Sequence, residues 1–95
     1  MSASIRTNRI ARLLQKALGD IVLQETHRLL NGYMITITEV EVSPDLSLAK
    51  VYLSVVAIDG EVDVVVLMEQ QKKALRKLLG QRVGKKIRKV PDLRF

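Results

Sequence analysis

Ninety-five residues suit one domain, and a chain this short buries only roughly 60–65% of its unfolded surface, so a single modest core is its ceiling. Apolar residues make up 47% of the sequence, and with Tyr33, Tyr52 and Phe95 as the only aromatics, Val, Ile and Leu must fill that core. There is no cysteine, which excludes disulfide frameworks and thiolate metal sites and fits a reducing cytosol. No apolar run approaches the roughly 20 residues of a membrane span, and residues 1–6 lack the apolar stretch of a secretory signal.

The net charge is +6, and its distribution says more than its size. Residues 1–70 hold six basic side chains (Arg6, Arg9, Arg12, Lys16, Arg28, Lys50) against nine acidic ones, whereas residues 71–95 hold ten basic side chains against Asp92 alone. All the excess positive charge lies in the last quarter of the chain. Such asymmetry points to a polyanionic partner, because merely solvated helices balance Lys and Arg with nearby Glu.

In chain order, Ile10, Leu13, Leu14, Ala17, Leu18, Ile21 and Val22 recur at three- and four-residue spacing and predict a helix over 5–27, with Ser4 or Thr7 able to cap its start. Asn31-Gly32 marks a turn. Residues 34–43 are β-branched and alternating, but Ile35 and Ile37 are odd while Val40 and Val42 are even. That change of phase predicts a bulge near Thr38-Glu39. Residues 49–58 form a second strand with Val51, Leu53 and Val55 on one face, and Pro44 begins the turn between the two. A turn at 59–62 leads to a second long helix capped by Asp63. Met68, Leu75, Leu78 and Leu79 fall in one apolar arc of that helix, with Lys72, Lys73, Arg76 and Lys77 in the adjoining solvent arc. Gly80 and Gly84 terminate or bend it. Arg82 returns to the apolar arc while Val83 and Ile87 drift from it, so either the helix bends or its buried stripe rotates. Residues 90–95 enter a last strand, with Pro91 where no ladder donor is needed. This order gives an α+β fold with helices layered on a small sheet.

Catalytic chemistry has little to work with. His27 is the sole histidine and suits a partly solvated structural role. Without cysteine, a metal site would rest on carboxylates alone. Asp59 and Glu61 flank a turn glycine, Ser43 and Ser47 have no nearby base, and no Gly-rich phosphate loop follows a strand. The pair Gly80 and Gly84 is one residue too widely spaced for the G-x-x-G clamp of single-strand-binding KH domains.

The basic segment is suited to phosphates, where Lys and Arg gain affinity by releasing condensed counterions. No aromatic lies between Lys72 and Lys89 on which an unpaired base could stack. These features favour a reader of folded RNA backbone over a reader of single strands.

Several segments together resemble the ribosome-binding factor A family: RTNRIARLLQKAL at 6–18, ITITEVEVSPDLSLAKVYLS at 35–54, LRKLLG at 75–80 and VPDLRF at 90–95. The resemblance covers nearly the whole chain. It implies a KH-like fold of the second type, α-β-β-α(-α)-β, with a three-stranded sheet and its helices packed on one face. It also implies a cytoplasmic, non-catalytic factor, without cofactor or metal, that binds the free, immature small ribosomal subunit and its 16S rRNA during late maturation and rRNA processing, often in connection with growth in the cold. The family commonly carries an Ala-x-Gly helix kink. The aligned positions here, Gln71-Lys72-Lys73, have neither small residue, which leaves a displacement to Gly80 or Gly84 open. Members also usually continue past the last strand, so residues 1–95 are expected to lack the family's tail; a single domain and a monomer are expected as well.

The residues expected to contact RNA are Arg6 and Arg9 on the first helix, then Lys72, Lys73, Arg76, Lys77, Arg82, Lys85, Lys86, Arg88 and Lys89. The alternatives are a basic module not tied to the ribosome. A duplex-DNA reader would want Asn, Gln or Arg aimed at base edges, and a membrane-surface helix would want Trp or Phe on its apolar face.

Overall fold

The 3.6-residue period of Leu14, Leu18, Ile21 and Val22 is realised as helix α1 (Ile5–Gln24), with all four side chains buried. A computed structural model describes residues 5–56, 63–87 and 89–95. Ser4, the turn expected at 59–62, Arg88 and the side chain of Arg6 lie outside the described residues. Thr7 is buried inside α1 and so does not precede it as a cap. The helix stops three residues short of the expected Thr-His end. The Thr26 hydroxyl donates to the carbonyls of Val22 (2.9 Å) and Leu23 (3.0 Å), taking up acceptors that another helical turn would have used. Asn31 (φ 53°) and Gly32 (φ 82°) then reverse the chain in the left-handed region, which glycine enters without steric cost.

Strands β1 (Met34–Val42) and β2 (Leu48–Val56) pair antiparallel, with the register shifting between Ile37 and Glu39. Thr38 is the extra residue. It flips the facing, so that Ile35 and Ile37 before it and Val40 after it all point into the core. The Thr38 carbonyl, displaced from the ladder, accepts from Gln15 Nε2 of α1 at 3.1 Å.

Asp63 caps helix α2 (Val64–Gln70), its carboxylate accepting from Val66 N at 3.2 Å; such a cap stabilises by about 1 kcal/mol. The expected long helix is in fact two. Gln71 lies at φ −96°, ψ 7°, ending α2 and starting α3 (Lys72–Val83). The break therefore falls at the aligned kink position and not at the glycines. The bridge conformation of Gln71 is open to L-residues in general, so no Ala or Gly is needed to produce it. Gly80 stays inside α3, and Gly84 follows its end with its N–H on the Gly80 carbonyl at 2.8 Å. A Cβ on Gly84 would sit 2.6 Å from that same oxygen, which is why the helix closes on glycine there. Leu75, Leu79 and Val83 are buried and Ile87, beyond the end of α3, is half-buried, so the buried stripe rotates at four-residue steps.

β3 (Asp92–Arg94) returns parallel to β2, giving the order β1-β2-β3. A parallel neighbour needs a crossover, and α2 and α3 supply it. The helices contribute Leu14, Leu18, Ile21, Met68, Leu75 and Leu79 to one core with Val40, Ala49, Val51 and Leu93 from the sheet. The result is an α+β, KH-like arrangement. The alternate sheet positions Thr36, Glu39, Glu41, Lys50, Tyr52 and Ser54 remain exposed.

Leu75 is fully buried, whereas Leu53 is only partly so. Leu75→Ala should cost about 2–5 kcal/mol in urea denaturation, and Leu53→Ala clearly less. Equal losses would contradict the placement of these two residues.

Candidate nucleic-acid interface

The buried ridge of α3 decides where its cations go. Lys73 and Lys77 lie at two-residue offsets from Leu75, about 160° around the helix, and are exposed. Lys85, Lys86 and Lys89, in the connection to β3, are exposed as well. None of these five forms an ion pair with another described residue.

Three other expected RNA contacts are committed inside the fold. Lys72 pairs with Glu69 at 2.7 Å across the Gln71 break. The second Glu69 oxygen accepts from Phe95 N at 3.1 Å, so one carboxylate joins α2, α3 and the residue after β3. The Lys72 bond holds the Glu69 pKa below its ordinary value, helped by the Phe95 amide. Arg76 departs from the expected solvent arc. It is half-buried, and its guanidinium donates to the Val90 carbonyl at 3.1 Å, while its Nε is buried without a partner among the described residues. The α3–β3 return folds over this face of the helix, which an isolated helical wheel cannot anticipate. Arg82, on the apolar arc at the end of α3, reaches α1, where it donates to the Gln24 side-chain oxygen and lies 4.0 Å from Asp20. A cation near the C-terminal turn of α1 also matches the helix dipole.

The N-terminal turns of α1 and the α3–β3 connection enclose a cleft of about 670 Å³. Arg9, Lys86 and Lys89 supply its positive charge, and Ile5, Ile10, Leu46, Ile87 and Pro91 its apolar lining. Asp45 and Ser47 of the β1–β2 turn complete it. Arg9 is shared with a shallower hollow of about 360 Å³ that it forms with Ile5, Asn8 and Arg12. Arg12 is absent from the expected set. Its three-residue spacing from Arg9, away from Leu14 and Leu18, was the available signal.

Asp45 is the one carboxylate in the cleft. Its Oδ1 accepts from the Ser43 hydroxyl (2.7 Å), the Ser47 hydroxyl (2.7 Å) and the Ser47 amide (3.1 Å). The hydroxyl of Ser43, then that of Ser47, lead the causes that lower its pKa to about 2. Ser43 Oγ in turn accepts from Leu48 N at 3.0 Å, and the Leu46 amide closes the turn on the Ser43 carbonyl at 2.8 Å.

The open sheet face is less suited to a polyanion. Glu39 and Glu41 stand on it, and Tyr52, 43% exposed, has its pKa raised mainly by a hydrogen bond to Glu41. Among the described residues no three potential metal ligands cluster, and no helix is long and apolar enough to cross a membrane.

The Ribosome-binding factor A family model matches residues 6–95. Ribosome-binding factor A of Cytophaga hutchinsonii is 40% identical over 92 residues, which are 97% of this chain and 69% of that protein. The Chlorobium phaeobacteroides protein of the same name is 41% identical over 93 residues, 97% of this chain and 78% of its own length. The crystal structure of ribosome-binding factor A from Thermus thermophilus superposes with a TM-score of 0.71 at 27% identity, covering 94% of this chain and 92% of the other. A Thermus thermophilus ribosome binding factor A model fitted into a cryo-EM map of its 30S complex aligns with a TM-score of 0.66 at 26% identity, covering 86% and 84%.

Because the folded-state pKa of Asp45 lies below its ordinary value, the carboxylate stabilises the turn above pH of about 4. That contribution is lost as the pH falls toward about 2. Carboxyl NMR should give an Asp45 midpoint near 2, with the Ser47 amide titrating in step; a midpoint near 4 would contradict the turn geometry.

Proposed function

This chain belongs to the ribosome-binding factor A family, and from that membership we propose that it is a non-catalytic assembly factor. It binds the free small ribosomal subunit and its 16S rRNA during late maturation and rRNA processing in the cytoplasm. Residues 1–95 act in this reading as a single KH-like RNA-binding domain.

The observation that carries the reading is the set of exposed cations without an ion pair among the described residues, Lys73, Lys77, Lys85, Lys86 and Lys89, held on one helix and the connection that follows it. Arg9 joins them across the cleft. Arg6 and Arg88 are expected RNA contacts from the sequence alone. Lys72, Arg76 and Arg82 act mainly by holding that surface in place. A rigid array of this kind gains affinity by releasing counterions from phosphates whose positions already match it. The small-subunit complex of the Thermus thermophilus relative supports the choice of partner.

A flexible strand must lose conformational entropy to match the array, and on the α3 surface it gains no aromatic stacking in return. Folded 16S rRNA should therefore bind more tightly than an unstructured RNA of equal length, measured by filter binding at one fixed salt concentration. Equal or tighter binding of the unstructured RNA would overturn this reading.

A further inference from the structure

Binding phosphates requires only cations, yet the cleft between α1 and the α3–β3 connection is lined by more than charge. Ile10, Leu46, Ile87 and Pro91 lie among Arg9, Lys86 and Lys89, with Asp45 facing the same space. A purely phosphate-binding surface would be weakened by a carboxylate and would gain nothing from the apolar lining. We propose that this cleft holds one unpaired nucleotide extruded from a folded RNA, its base on the apolar lining beside Asp45 and its phosphates on Arg9, Lys86 and Lys89.

The inference rests on the RNA-binding function above and adds an occupant to one part of that surface. The volume of about 670 Å³ falls in the range of small-molecule sites. RNA recognition commonly takes a base out of a bulge or loop and encloses it between apolar or aromatic side chains. Folded RNA with one displaced base also satisfies the preference for ordered phosphates.

The chemistry of Asp45 sets which bases fit. Oδ1 is occupied by three donors from Ser43 and Ser47, and Oδ2 takes no part in these three bonds. The second oxygen of this fixed carboxylate accepts from an exocyclic amine, as carboxylates do from cytosine N4. Cytosine, adenine and guanine carry such an amine. Uracil offers one N–H between two carbonyl oxygens, which the carboxylate repels. Leu46, at φ 62° with its amide bonded to Ser43, fixes the adjacent apolar wall.

The test is an amide NMR titration of the 95-residue chain with cytidine monophosphate, uridine monophosphate and inorganic phosphate at matched ionic strength. The cytidine nucleotide should shift Leu46, Ser47 and Ile87 and bind about fivefold more tightly than the uridine one, the lower end of a good base contact. Phosphate alone should leave Leu46 unmoved. Asp45→Asn keeps an oxygen for the serines while turning the second acceptor into a donor, and should abolish the preference. The exposed pair Lys86→Glu and Lys89→Glu should abolish nucleotide binding without disturbing the fold. Equal affinity for the two nucleotides, a preference that survives Asp45→Asn, or phosphate reproducing every shift would each overturn the assignment. If the wild-type chain binds folded 16S rRNA but shows no preference, the cleft assignment alone fails; if it binds neither, the proposed function fails too.

Discussion

Leu75, Leu79 and Val83 form one ridge of α3, none of them more than 1% exposed. A helix that buries positions i, i+4 and i+8 has no freedom left to rotate, so every other residue on it is assigned a direction. Lys73 and Lys77 are sent outward. Arg76 is sent under the return to β3, where it meets the Val90 carbonyl. Arg82 is sent over α1, where Asp20 and Gln24 receive it. A single apolar constraint thus divides a run of cations that look alike in sequence into some that face solvent and some that fasten the fold.

The other wall of the candidate interface depends on the hairpin. The Thr38 bulge keeps both halves of β1 facing the core, and the Ser43–Asp45–Ser47 hydrogen bonds set the turn beyond it. Ser47 then accepts from Asp92 N at 2.9 Å, tying this turn to the start of β3. The cleft's acidic side and its Lys86–Lys89 side are therefore coupled through the same short stretch of backbone.

Much of this was legible in the residues. The switch from odd to even apolar positions located the bulge, and Asp63 before a run of valines located the cap of α2. The break at Gln71 was not legible, since its backbone conformation carries no residue signature, whereas the two glycines, which do, lie further along the chain. The fastening roles of Arg76 and Arg82 were also hidden. Helical periodicity gives the angle at which a side chain leaves its helix, but not which distant carbonyl or carboxylate waits there. The cleft itself unites residues from Ile5 to Pro91, at opposite ends of the chain. No local pattern of the kind summarised by helical or strand period would reveal it.

The division of the cations is tested most directly by measuring 16S rRNA affinity across salt concentrations alongside urea stability. For Lys73→Ala with Lys77→Ala, the salt slope should become shallower by about 1–2 units with stability unchanged. For Arg76→Ala, stability should fall by about 1–3 kcal/mol as the part-buried Val90 carbonyl loses its donor, while the slope changes less. A salt slope untouched by removing Lys73 and Lys77, together with an Arg76→Ala variant as stable as the parent chain, would contradict the account.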